Sequence, residues 1–124
     1  ENAMKENRLS KNINIAQAKT DDEVAGFAMT EKLLKSDNPP TAIACFNDLQ
    51  AIGAQDAIIK MKANVALVGY DNTYLSSLEQ INLTTVDPGN REIADKCADL
   101  LLSGELSSHF IHTSTPTLVV PPLP

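Results

Sequence analysis

Apolar positions along the chain alternate between short continuous runs and longer stretches spaced at three and four residues. That alternation predicts strands of a parallel sheet joined by helices, an α/β fold of three layers with helices flanking the sheet. Residues 12–18 form the first strand-like segment. Thr20 and Glu23 then have the spacing of a capping box, so a helix is expected to start there. Val24, Phe27, Ala28 and Leu34 lie at helical spacing on its inner face. Lys32 and Lys35 suit the negative end of the helix dipole, and Pro39-Pro40 forbids continuation past about Ser36. The run Thr41–Phe46 (TAIACF) is apolar throughout, which predicts a strand covered on both faces. Asp48 is the expected N-cap of a second helix, whose buried face is marked by Leu49, Ile52, Ala57, Ile58 and Met61. Val65–Tyr70 (VALVGY) predicts a further covered strand, ended by the turn-forming residues Asp71-Asn72-Thr73. Leu83–Val86 is a third strand of the same kind. Pro88-Gly89-Asn90 breaks the chain, and Asn90 is the expected cap of a helix carrying Ile93, Ala94, Cys97, Leu100 and Leu101, with Gly104 as its stop. After the polar Ser107-Ser108, Leu118–Val120 gives a last short strand. The chain has no internal repeat and no low-complexity tract.

Composition narrows the function. The 124 residues carry 16 acidic and 10 basic side chains, a net charge of -6. A chain of this length buries roughly 65% of its unfolded surface and needs no disulfide or metal to fold. An acidic balance, 4% aromatic residues and no Trp argue against direct DNA contact, which needs a basic footprint or stacking rings. No apolar run approaches a membrane span, and the N-terminus has no signal-peptide pattern, so the chain reads as cytoplasmic. Glu1–Ala3 ahead of Met4 read as a cloning remnant, leaving 4–124 as the folded part. Cys45 and Cys97 lack CxxC spacing and lie in apolar stretches, which predicts packing in a reducing compartment.

Ligands of an open parallel sheet bind beyond the carboxyl ends of its strands. Asn47 stands at that end of TAIACF and Asp71 at that end of VALVGY. An amide beside a carboxylate can chelate vicinal hydroxyls of a sugar or ribose; the competing expectation is that Asn47, Asp48 and Asp71 only cap helices and turns. His109 and His112 lack a third ligand for zinc and read as loop residues. Asp21-Asp22-Glu23 reads as a helix start rather than a metal cluster. There is no GxGxxG, no phosphate-binding loop and no nucleophile elbow, so nothing favours an enzyme, a cofactor or a metal.

Three segments in a fixed order resemble the lac-repressor type (LacI/GalR) of bacterial transcription regulators. They are Pro40-Thr41-Ala42-Ile43 leading through Cys45 to Asn47-Asp48 and Ala51-Ile52-Gly53, then Val68-Gly69-Tyr70-Asp71-Asn72, then Leu83-Thr84-Thr85-Val86. The resemblance runs from about Asn12 to Val120. It implies a periplasmic-binding-protein-like core of two α/β lobes around an effector cleft, of which this chain is the C-terminal lobe. Residues 88–105 then correspond to the segment that crosses back onto the first lobe. It also implies that the DNA-binding head lies outside the chain, so DNA is reached only through it.

The same resemblance implies that Asn47 and Asp71 contact a sugar or nucleoside-like effector. Phe46 and Tyr70 supply ring contacts, and Gln17 and Asp21 are nearest to a further polar contact. Lys62-Ala63-Asn64 is a shorter turn than the family's, Asp87-Pro88-Gly89 replaces a usual Gln-Pro, and Pro121-Pro122-Leu123 replaces a usual Arg-Glu-Ser. The apolar stripe Ile93, Cys97, Leu100 and Leu101 predicts a homodimer, by exchange of this helix. The alternatives are a sugar-binding transport protein of the same fold and, more distantly, a flavodoxin-like enzyme or receiver domain.

Overall fold

In chain order the elements are α1 (Asn2–Glu6), a 3-10 turn (Ser10–Asn12), α2 (Glu23–Leu34), β1 (Ala42–Ala44), α3 (Asp48–Met61), β2 (Ala66–Tyr70), a second 3-10 turn (Tyr74–Ser77), β3 (Thr85–Asp87), α4 (Asn90–Ser103) and β4 (Thr117–Val119). This computed structural model describes residues 2–104 and 114–121. His109, His112 and Ser107-Ser108 lie outside the described residues.

The sheet runs β1-β2-β3-β4. β1, β2 and β3 are parallel, as the apolar rhythm predicts, and β4 is antiparallel to β3. Ile43 pairs with Leu67 and Gly69 with Thr85, which puts these four on one face because strand side chains alternate. α3 covers that face with Ala51, Ala54 and Ala57, all fully buried. Small residues let the helix axis come close to the strands. α2 packs in turn on α3 through Gly26 and Gly53. A Cβ on Gly53 would run into the backbone of Glu23, and one on Gly26 into the backbone of Gln50. The two helices therefore cross nearly backbone to backbone.

Several local expectations are corrected. Residues 13–18 form no strand: they pass β1 without pairing to it and leave an apolar cavity of about 470 Å³ against Ala42–Phe46 and α2. A strand needs a ladder partner for its N–H and C=O groups, and apolar sequence alone does not supply one. β1 and β2 are covered on one face only, since Ala42, Ala44, Ala66 and Tyr70 are exposed. In α2 the inward residues are Gly26 and Thr30, whereas Ala28 is exposed and Val24 is 78% exposed. Glycine contact with α3 rotates the helix away from the side that its apolar spacing selects. Leu49 is likewise exposed in α3, displaced by the alanine face. Cys97 is exposed on α4 and Cys45 is only partly buried.

The caps also shift by one position or more. Asp22 rather than Thr20 caps α2, accepting from the Ala25 N–H at 2.8 Å. Asn47 rather than Asp48 caps α3, accepting from the Gln50 N–H at 2.8 Å. Gly89, at φ 82°, precedes α4, which leaves the side chain of Asn90 free for other work. Gly104 ends α4 in the left-handed conformation, as its sequence position predicts. The short turn after α3 closes because Lys62 adopts φ 53° and Ala63 N–H returns to the Ile58 carbonyl at 3.0 Å.

Candidate functional site

Because β1 and β2 are parallel neighbours, the residues that follow them emerge at one edge of the sheet. Phe46-Asn47 follow β1, while Tyr70 ends β2 and Asp71 follows it. Phe46 is 73% exposed and Tyr70 38% exposed, so both rings reach solvent there. Asn47 is committed in part: its Oδ1 caps α3, and its Nδ2 donates to the Asp21 carbonyl at 3.2 Å. One amide N–H is left for a ligand. Gln50 ties the same two segments, donating to the Thr20 carbonyl at 3.0 Å and to Asp21 Oδ1 at 3.4 Å. Gln17 is exposed on the segment before them.

Asp71 differs from Asn47. Its backbone is fixed, with its N–H donating to the Val86 carbonyl at 2.9 Å and its own carbonyl accepting from Asn90 Nδ2 at 3.1 Å. Its φ is 107° and that of Asn72 is 49°. A non-glycine residue in that region carries about 1–3 kcal/mol of strain and stays there only when its surroundings insist. Among the described residues the Asp71 carboxylate accepts no hydrogen bond. Burial pushes its pKa up, and the nearby Asp48 charge pushes it the same way. A carboxylate without a donor among the described residues, at a strand end, is a candidate acceptor for hydrogen bonds from a ligand.

Behind this edge lies a set of polar residues whose contacts with one another spacing did not show. Asp48 has no solvent exposure. Its Oδ2 accepts from the Thr73 N–H at 2.7 Å and the Thr73 hydroxyl at 3.1 Å, and its Oδ1 accepts from the Thr85 hydroxyl at 2.5 Å. Thr85, fully buried on β3, accepts in turn from the Asn72 N–H at 3.3 Å. Nearer the surface, Asn72 Nδ2 donates to Asp87 Oδ2 at 2.9 Å and the Gly89 N–H donates to Asp87 Oδ1 at 2.7 Å. The Asn72 side chain and the Gly89 and Asn90 amides hold the Asp87 pKa below the usual carboxylate range. Ser114 donates to the Pro88 carbonyl beside them. The polar pair Thr84-Thr85 inside an otherwise apolar strand was the available signal, because a buried hydroxyl requires a partner.

The apolar cavity beside β1 takes in Phe46 and Gln50 but not Asn47, Tyr70 or Asp71. It is the gap beside the unpaired segment 13–18, and it meets the strand-end edge at Phe46 and Gln50. Among the described residues no cluster of His, Cys, Asp and Glu could hold a metal ion, and no helix is long and apolar enough to cross a membrane.

Known proteins share this fold. A family profile described as a periplasmic binding protein-like domain matches residues 1–122. The HTH-type transcriptional repressor PurR of Histophilus somni is 30% identical over 127 residues, covering 97% of this chain and 38% of the relative. The probable HTH-type transcriptional repressor ExuR of Bacillus subtilis is 36% identical over 86 residues, covering 66% of this chain and 26% of the relative. Among solved structures, a LacI-family transcriptional regulatory protein from Corynebacterium glutamicum superposes with a TM-score of 0.72 at 36% identity, over 81% of this chain and 41% of that one. The lac repressor dimer bound to operator and the anti-inducer ONPF gives 0.69 at 29% identity, over 81% and 37%. The chain thus spans well under half the length of these relatives, and what it matches in them is the α/β core. It belongs to the periplasmic binding protein-like family, in the form of a LacI/GalR-type effector-binding core.

Proposed function

We propose that this chain is the effector-sensing portion of a LacI-family transcriptional regulator, a binding module and not an enzyme. Its ligand is a small polyhydroxyl molecule of the sugar or nucleoside class. Asp71 accepts from ligand hydroxyls, Asn47 donates its remaining N–H, and Tyr70 and Phe46 supply ring contacts. The observation that carries this reading is the Asp71 carboxylate, without a hydrogen-bond donor among the described residues and fixed at a strand end. In the regulator, an effector bridging this edge and a second lobe stabilises the closed form and alters the spacing of DNA-binding heads. DNA contact is then made by the head and not by this acidic core, and the protein works in the cytoplasm.

The apolar stripe of α4 supports association of two copies. Ile93, Cys97 and Leu101 are exposed along it, with Leu100 half-buried beside them, and an exposed stripe of this kind finds a partner surface. The dimer forms through α4, by exchange of the helix between copies; a monomeric mass by light scattering at all concentrations would contradict it.

The function is tested by calorimetric titration of D-galactose, D-ribose and adenosine into the regulator core containing this chain. Binding is expected for one probe class, abolished by Asp71→Ala and weakened by Asn47→Ala. The isolated chain, holding one side of the cleft, is expected to bind more weakly than micromolar. Binding unaffected by both substitutions, or none by any probe, would overturn the assignment.

A further inference from the structure

We propose that Asp48 is the positioning residue of this edge, setting from inside the fold the backbone of Asp71 and Asn72 and thereby the aim of the Asp71 carboxylate. This deepens the reading of Asp71 as the ligand contact and rests on it. Asp48 has no solvent exposure, so it cannot itself touch a ligand at the edge. What it touches is the turn that carries Asp71. Two of its three accepted hydrogen bonds come from Thr73, which fixes the far side of the turn. The third orients a hydroxyl. Thr85 has one proton to give and gives it to Asp48 Oδ1, which leaves the Thr85 oxygen lone pairs directed to the Asn72 N–H. Asn72 at φ 49° is therefore bracketed on both sides by groups that answer to a single carboxylate, while Asp71 at φ 107° is held on its other side by its N–H to the Val86 carbonyl.

The packing is built around that carboxylate. β2 carries Gly69 where any Cβ would strike Asp48 Oδ1, so the strand leaves room for the side chain to pass between α3 and the sheet. A residue whose only task was to start α3 would not need such a passage, since Asn47 already caps the helix. The Asp48 charge also stands close enough to disfavour ionisation of Asp71, which couples the two carboxyls electrostatically as well as through the turn.

The test reads the turn directly. Scalar couplings between the amide and α protons of Asp71 and Asn72 report φ, and carbon-detected titration reports the Asp71 carboxyl. Both are measured in the wild type, Asp48→Asn, Thr85→Val and Thr85→Ser. Loss of the left-handed couplings is expected in Asp48→Asn and Thr85→Val, with recovery in Thr85→Ser, which restores the hydroxyl. The Asp71 midpoint is expected to fall in Asp48→Asn, where the repelling charge is gone. Affinity for D-galactose or adenosine, whichever the core binds, is expected to drop about tenfold in Thr85→Val, the effect that supporting partners have at other sites. Unchanged couplings in folded Asp48→Asn and Thr85→Val would overturn the proposal. Should neither variant fold, hydrogen exchange in the wild type decides: slow exchange at the Asn72 and Thr73 amides supports it, and rapid exchange at both overturns it. If neither probe binds the wild type, the ligand reading of Asp71 fails while the couplings still judge the positioning role.

Discussion

Gly53 of α3 lies so close to the backbone of Glu23 in α2 that no Cβ fits between them. The helix interior would ordinarily favour alanine over glycine by about 1 kcal/mol. Here the contact reverses that preference. Gly53→Ala is expected to destabilise the chain by about 3 kcal/mol, because the neighbour it meets is backbone that cannot rotate aside. Gly104→Ala is the control: it has open space around it, and its φ of 71° alone should cost about 1 kcal/mol. Urea unfolding of both variants checks the ranking, and a stabilised Gly53→Ala would refute the close crossing of α2 and α3.

Asp71 predicts a gain in stability from the loss of a functional group. Its folded-state pKa is raised by burial and by Asp48, so the folded state binds the proton more tightly than the unfolded chain does. The charged form is therefore a cost that is present above the raised pKa and fades as pH falls through it. Asp71→Asn removes the charge and also suits a positive φ better than aspartate does. The variant should have a higher urea midpoint than the wild type at neutral pH, with the gap closing on acidification, and should lose ligand binding. A lower midpoint at neutral pH would show that the carboxylate has a partner that satisfies it.

Asp87 has the opposite sign. Hydrogen bonds from the Asn72 side chain and the Gly89 and Asn90 amides depress its folded pKa, so its contribution is present above the ordinary carboxylate pKa. It is lost as pH falls through the depressed value. Asp87→Ala should unfold at lower urea than the wild type at neutral pH and match it in acid, and amide exchange at Asn72 and Gly89 should quicken. Equal midpoints at all pH values would remove Asp87 from the account of how the Asp71 turn joins α4.

The parallel order of β1, β2 and β3 was legible because continuous apolar runs separated by helical spacing leave few other folds. The edge carrying Asn47 and Asp71 followed from that order. What spacing could not supply were contacts between residues far apart in sequence. Asp48 and Thr85 are 37 residues apart, and only the folded sheet brings a carboxylate from a helix start to a hydroxyl on β3. The helix caps moved for a related reason: Thr20, Asp22, Asn47 and Asp48 are all competent caps, and the tertiary position of the chain entering each helix chose among them. Residues 13–18 carry strand-like sequence without a strand because pairing belongs to the partner as much as to the segment.

Asn47 combines a structural task with a proposed functional one, and substitutions can separate them. Asn47→Ala loses the α3 cap and should cost about 1 kcal/mol together with ligand affinity. Asn47→Asp keeps an oxygen to accept from the Gln50 N–H but has no amide to offer a ligand or the Asp21 carbonyl. It should retain the stability of the cap, apart from its share of the Asp21 contact, and still bind ligand poorly. Thermal unfolding alongside calorimetry reads the two effects separately, and full affinity in Asn47→Asp would limit Asn47 to capping.

The two cysteines should differ sharply in reactivity. Burial pushes the Cys45 thiol up to about 11, and at pH 8 only about one molecule in a thousand carries the reactive thiolate there. Cys97 is exposed on α4 beside Ile93, Ala94 and Leu101, on the stripe proposed to join two copies. Iodoacetamide at pH 8 should therefore alkylate Cys97 first in dilute protein, as located by peptide mass, and leave Cys45 largely unmodified until the fold is opened with urea. Raising the protein concentration should slow the Cys97 reaction, since a dimer through α4 covers it, while Cys45 keeps its slow rate. A Cys97 rate that does not change across concentrations spanning the dimer's formation by light scattering would move the interface off this helix.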